Sequence, residues 1–190
     1  MIPHRDIRRL CVYVEALNVV VMAIPKSGST SLFHWAAECD GLTDITEANN
    51  TYSATQTYGH TLQRLGWDAT MERGPKAITL VRDESRRLVS AYRDKILGAK
   101  TGHLRHYPGM TMAEALGAIT SVPMLQRDWH FRPQSWFVDQ FTRAAPVPLV
   151  AIQLRDAKAT LASLWPEAPA LGHRHWTAWR GQEWATQARL

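Results

Sequence analysis

The sequence predicts an α/β fold, a three-layer sandwich around a mostly parallel central sheet. Three observations carry that expectation. Residues 18–24 and 77–81 are short, consecutive apolar runs rich in β-branched side chains, the pattern of strands buried on both faces. Residues 147–154 form a third strand candidate. Helical spacing follows each run, and strands alternating with helices build parallel βα units with helices on the sheet faces.

Each element has its own local reason. After the strand at 18–24, residues 25–31 are small or polar, and 32–39 then has helical character. Residues 40–61 are rich in Thr, Asn and Tyr and give only loop or short-strand signals. The second strand leads into 83–97, where Leu88, Val89, Tyr92 and Ile96 fall on one side of a helix. Two Gly, a Pro and two His make 100–109 a loop. Thr111 and Glu114 are spaced as a capping box that opens a helix through about Ile119. Residues 132–141 are expected to be helical, with Pro133 tolerated in the first turn. The third strand is followed by a helix at 156–164 that Pro166 ends. No repeat, low-complexity tract or linker divides the chain, so residues 1–190 are expected to form one domain.

Composition narrows the partners. The chain has 190 residues, 45% hydrophobic and 21% charged, which suits a packed globular domain and not disorder. Its net charge of +5 and pI near 9.5 favour an anionic partner without choosing among nucleic acid, membrane surface and phosphorylated small molecule. No apolar run reaches the length of a membrane span. The basic N-terminus lacks the apolar core of a signal peptide. A soluble cytoplasmic protein is expected. Cys11 and Cys39 are too few for a disulfide framework and neither belongs to a metal-ligand pair, so both are taken as core thiols and no metal is expected.

Two strand ends can hold anions. Pro25-Lys26-Ser27-Gly28-Ser29-Thr30-Ser31 lies where a strand gives way to a helix, and helix-start N–H groups with the helix dipole favour a phosphate or sulfate there. Lys26 adds a full charge, Ser29, Thr30 and Ser31 add hydroxyls, and Gly28 lets the backbone come close. The triphosphate-binding pattern GxxxxGK[ST] is not met, because Lys26 precedes the only glycine. The second end begins at Arg82. From Arg82 to Arg105 there are seven basic and three acidic residues, a net +4. Arg86, Ser90 and Arg93 share a helix face there, and Arg grips terminal phosphates in two-point fashion. Two such ends suit a ligand with two separated anionic groups. A kinase-like nucleotide enzyme and a basic nucleic-acid-binding domain remain the competing readings.

The two segments together resemble the sulfotransferase superfamily, whose donor is 3′-phosphoadenosine 5′-phosphosulfate (PAPS). The run from Pro25 to Leu32 is similar to the family's PKxGxTxL loop, and Arg82-Asp83 through Lys95 is similar to its RDPxxRLVSAYRDK element. His130-Phe131-Arg132-Pro133-Gln134 resembles the HxxPQ segment of the carbohydrate branch. The resemblance implies a P-loop-NTPase-like sulfotransferase fold and sulfuryl transfer from PAPS to a hydroxyl of a carbohydrate or similar acceptor. PAPS and its product PAP would be the partners, with neither nucleic acid nor membrane. By the same resemblance Lys26 stabilises the bridging and leaving oxygens. Ser27, Gly28, Ser29, Thr30 and Ser31 cradle the 5′-phosphosulfate, and Arg82 and Ser90 hold the 3′-phosphate. Glu84 stands where the family has Pro and adds a negative charge near the phosphate site. The chain is short for the family and has no Golgi-type anchor, which again leads one to expect a cytoplasmic protein.

A hydroxyl acceptor also needs a general base. Glu47 and His60 are the first candidates, between the donor loop and the second strand. His34, His103, His106 and His130 are further ones, each with a structural or solvated role as the plainer alternative. The chain has 8 Trp, six of them from Trp129 to Trp184. Trp176 or Trp179 would either stack on a sugar or adenine or belong to the core.

Overall fold

The computed structural model describes residues 7–41, 65–97 and 110–172. Among these residues four strands form one sheet in the order β1-β2-β3-β4: β1 Cys11–Val14, β2 Val19–Met22, β3 Lys76–Val81 and β4 Leu149–Gln153. The β2/β3 and β3/β4 pairs are parallel, with Val21 opposite Ile78 and Thr79 opposite Ala151. Among the described residues six helices accompany the strands: α1 Ser29–Cys39, α2 Trp67–Glu72, α3 Glu84–Tyr92, α4 Met112–Ser121, α5 Gln134–Ala144 and α6 Ala157–Leu164.

Period-two alternation along the strands sorts the core into two halves. Val12, Val14, Val19, Val21, Ile78 and Leu80 pack with Leu32 and Phe33 of α1 and Leu161 of α6. Cys11, Tyr13, Val20, Met22 and Ala77 pack on the opposite side with Met71 of α2 and Phe137 and Phe141 of α5. Helices therefore cover both faces, and the fold is the expected three-layer α/β sandwich. A smaller cluster of Ala91, Ile96, Ala115, Ile119 and Phe131 joins α3 to α4 beside the sheet. The hydroxyl of Thr79, buried within β3, donates to Met22 O at 2.8 Å and so ties β3 to β2.

Several boundaries differ from the sequence expectation. β1 was not foreseen; it pairs antiparallel with β2, Val12 facing Val21. Its four residues are too few to display a period, and only the partner strand reveals them. The turn between these strands is closed by Asn18 at φ 49, whose side chain accepts from the Tyr13 hydroxyl at 3.0 Å. α2 was also unassigned. α1 begins three residues early, at Ser29, because Gly28 at φ 82 starts the helix immediately. The predicted helix 132–141 is instead α5, with Pro133 as its N-cap and a 3-10 turn at Trp129–Phe131 before it. The helix expected over 83–97 ends as α-helix at Tyr92 and continues as a π turn, Arg93–Leu97. β4 lies at an edge of the sheet, with Val150 50% exposed, and is not buried throughout as β2 is. The Thr111–Glu114 capping box is present as predicted.

Candidate active site

The parallel arrangement of β2 and β3 brings their C-terminal ends side by side, where open α/β sheets bind ligands. Beyond β2 the chain turns through Pro25–Gly28 into α1. No side chain caps α1 and no acidic residue lies in its first turn. The first intrahelical bond runs from Leu32 N to Gly28 O, at 3.0 Å. The N–H groups of Ser29, Thr30 and Ser31 therefore precede the intrahelical ladder, where the dipole is positive. Beyond β3, Asp83 caps α3 by accepting from Arg86 N at 2.9 Å. Arg82 sits half-buried at the tip of the strand, with no described carboxylate at ion-pair distance. Burial and then the neighbouring Arg86 pull the Arg82 guanidinium below its ordinary pKa, and the charge of Asp83 only partly offsets them.

A partly buried polar network fixes these two ends relative to each other. Gln134, the first residue of α5, accepts from the Arg82 N–H at 2.8 Å and donates to the Arg82 carbonyl at 2.6 Å. The same amide accepts from the Ser27 hydroxyl at 2.9 Å and donates to Glu84 at 2.7 Å. One side chain thus grips both strand ends. Glu84 in turn holds Arg87 in a fork, at 2.6 and 3.0 Å. Arg87 is 0% exposed and also donates to the carbonyls of Arg132 at 2.7 Å, His130 at 2.9 Å and Pro25 at 3.5 Å. The donor loop, the start of α3 and the segment before α5 meet at this guanidinium.

The network revises three expectations. Glu84 adds no free negative charge to the phosphate site, because Arg87 neutralises it. Ser27 is 1% exposed, its N–H donates to Ile24 O and its hydroxyl to Gln134. Both of its donors are engaged within the protein, so Ser27 ties the loop to α5 and does not face outward as a cradle donor. The fold itself also requires glycine at position 28. Its φ of 82 favours glycine, and a Cβ there would lie 2.6 Å from Leu154 Cδ1.

Lys26 is the cation of the loop. Its backbone takes φ 66, a left-handed conformation that costs a non-glycine residue roughly 1–2 kcal/mol. Its ammonium meets Asp94 Oδ2 at 2.5 Å, and Lys95 meets the same oxygen at 3.1 Å. Burial pulls the Lys26 pKa down, and the bond to Asp94 only partly offsets that.

A family model described as the sulfotransferase family matches residues 11–164, most of the chain. The chain belongs to the sulfotransferase family. Neither a curated protein nor a solved structure gives a significant match. The reaction class is sulfuryl transfer from a sulfate donor, and the kinase-like reading of the loop gives way to it.

In this sulfotransferase Lys26, Gly28, Ser29, Thr30 and Ser31 gather at the end of β2, and Arg82 lies at the end of the adjoining β3. Ser90 is half-buried in α3, one turn before Asp94. Glu47, His60, His103, His106, Trp176 and Trp179 lie outside the described residues. His34 is 7% exposed within α1. His130 Nδ1 lies 2.7 Å from Asp128 Oδ1, which also accepts from the His130 N–H at 2.9 Å. Trp35, Trp67 and Trp165 are core residues. Trp129 and Trp136 flank the Arg132 guanidinium, at 6.0 and 4.4 Å from the ring centroids. Sequence reasoning counted Arg87 among the basic residues and quoted Gln134 within the HxxPQ segment without a role for either. The spacing of Glu84 and Arg87, i and i+3 on a helix, was the available signal.

Proposed function

We propose that this sulfotransferase transfers the sulfuryl group of PAPS to a hydroxyl of a carbohydrate acceptor. The observation that carries the donor assignment is the double grip of Gln134 on Ser27 and Arg82. It holds two cationic strand ends at a fixed separation, which suits one ligand with an anionic group at each end. The residues present fit such a donor: helix-start N–H groups and hydroxyls at 29–31 with Lys26 on one side, and on the other the Arg82 guanidinium, with no described carboxylate at ion-pair distance.

In this reading the first turn of α1 binds the 5′-phosphate, and Arg82 and Ser90 bind the 3′-phosphate. Lys26 offsets charge that grows on the leaving oxygens as the acceptor oxygen attacks in line. Such catalysis rests on positioning and charge stabilisation. The acceptor proton goes to a base, for which we assign Glu47, His60 or His130. His130 is favoured among the described residues by its bond to Asp128, which orients a ring nitrogen as a base requires. The carbohydrate class rests on the likeness of residues 130–134 to the HxxPQ segment.

Thermal unfolding with adenosine 3′,5′-bisphosphate tests the donor site. A ligand at about 100 times its Kd adds about 2.7 kcal/mol, which at about 2–4 °C per kcal/mol for a chain of this size is roughly 5–11 °C. Lys26→Ala and Arg82→Ala each reduce the shift. No stabilisation of the wild type at millimolar bisphosphate refutes the donor assignment, and sulfate transfer from labelled PAPS across hydroxyl acceptors tests the carbohydrate class.

A further inference from the structure

We propose that Asp94 is a positioning residue for Lys26, holding its ammonium at the end of α3 in the ligand-free protein and yielding it to the donor's anionic group. The proposal rests on the donor reading above and extends it to a residue outside the loop.

The geometry is specific. The pair joins residues 68 positions apart and links the donor loop to the turn after the helix that carries Ser90. Asp94 lies within the π turn Arg93–Leu97, a widened turn of the kind that recurs at functional sites. Ile96 buries itself in the α3–α4 cluster and anchors that turn. The Lys26 side chain is 22% exposed and that of Asp94 46%, so an incoming anion has access to the pair from solvent.

Two features distinguish a yielding contact from a permanent strut. Lys95 lies 3.1 Å from the same Asp94 oxygen. When Lys26 departs, Asp94 keeps a cation and the exchange leaves no carboxylate uncompensated. The second feature is the strength of the pair: half-exposed ion pairs contribute little net stability, so a phosphate or phosphosulfate at the start of α1 readily outcompetes it. Asp94 is also poorly suited to be the acceptor's base. Burial pushes its carboxyl up, but hydrogen bonds and charge from Lys26 and then Lys95 outweigh that and hold it below the usual carboxylate range.

The test is calorimetric binding of adenosine 3′,5′-bisphosphate to wild type, Asp94→Asn, Lys26→Met and the double variant, with folding checked by circular dichroism. Asp94→Asn removes the competing anion and is expected to tighten binding about fivefold, the scale of an exposed ion pair. In the Lys26→Met background the same change is expected to alter affinity less than about twofold, since no ammonium remains to release. An equal gain in both backgrounds means that Asp94 repels the ligand directly, and this overturns the proposal. No gain in the Lys26 background also overturns it. Lys26 is followed separately by NMR titration of its Cε–Nζ group without ligand. Asp94→Asn is expected to lower its midpoint, and an unchanged midpoint refutes the pairing itself. Failure of all four proteins to bind the bisphosphate, with the midpoint lowered as expected, instead refutes the donor reading.

Discussion

Arg87→Met tests whether the buried guanidinium holds the site together. The substitution keeps a long, flexible side chain and removes the charge. Glu84 tolerates the loss, because its side chain is 42% exposed and turns to water. The carbonyls of Arg132 and His130, which accept from Arg87 at 2.7 and 2.9 Å, have no such recourse. A buried acceptor left without a donor costs about 1–3 kcal/mol, so the buried Arg132 carbonyl and the partly buried His130 carbonyl together cost about 4 kcal/mol at most. For a chain of 190 residues, 4 kcal/mol lowers Tm by roughly 8–16 °C. Urea denaturation is the direct assay: the midpoint falls while the slope m stays constant, because the same surface is exposed on unfolding. Bisphosphate affinity falls with it, because Pro25 and the loop lose their tie to the second strand end. A loss of less than about 1 kcal/mol, with affinity unchanged, would mean that these carbonyls find other donors and that the network does not hold the two ends.

Gly28→Ala places a Cβ 2.6 Å from Leu154 Cδ1 at φ 82. Left-handed strain of about 1–2 kcal/mol and overpacking of about 1–3 kcal/mol both follow, and adding Leu154→Ala removes the clash term alone in a two-variant urea series. Burial pushes the Cys11 thiol well above its ordinary pKa. Burial and then Asp40, Glu38 and Glu167 push Cys39 up to about 12, so iodoacetamide at pH 8 is expected to leave both unmodified until denaturant is added. Bonds first from the Thr111 N–H and then from its hydroxyl lower the Glu114 pKa from 4.5. Its contribution is fully present above the unfolded value and lost as pH falls through the lower folded one. Stability measured from pH 6 downward therefore declines less in Glu114→Gln than in wild type, and Thr111→Ala costs about 1 kcal/mol at neutral pH.

The parts of the fold legible in the sequence were those with a local cause. β2 and β3 announce themselves because both of their faces are buried and few polar residues interrupt them. The capping box needs only Thr111 and Glu114, three positions apart. β1 and α2 escaped because four and six residues carry no usable period: β1 shows only through its pairing with β2, and α2 is held by a neighbour remote in sequence. Trp67 of α2, for instance, donates to Ala144 O at 3.0 Å. The start of α1 was placed late because Ser29, Thr30 and Ser31 look like loop residues, while Gly28 at φ 82 permits them to be a first turn.

The candidate site divides along the same line, and its charges show why. Counting residues from Arg82 to Arg105 gives a net +4, yet a count cannot tell which charges face outward. Lys100 and Arg105 lie outside the described residues. Arg87 is spent on Glu84, and Lys95 shares Asp94 with Lys26. Arg82 and Arg86 have no described carboxylate at ion-pair distance, and burial and then Arg86 lower the pKa of Arg82. The remaining charge thus lies with Arg82 at the tip of β3 and Arg86 in the first turn of α3, with Arg93 at the far end of that helix. A concentrated charge binds a terminal phosphate in two-point fashion, whereas a row along a helix would follow a polyanion. The place of Glu84 fits the same logic. As the first residue of α3 it occupies a position where the family's proline suits a helix equally well, but only a carboxylate there can neutralise Arg87. This chain thus exchanges a backbone constraint for an ion pair with a buried guanidinium, and the pair joins the donor loop to the strand end that Arg82 occupies.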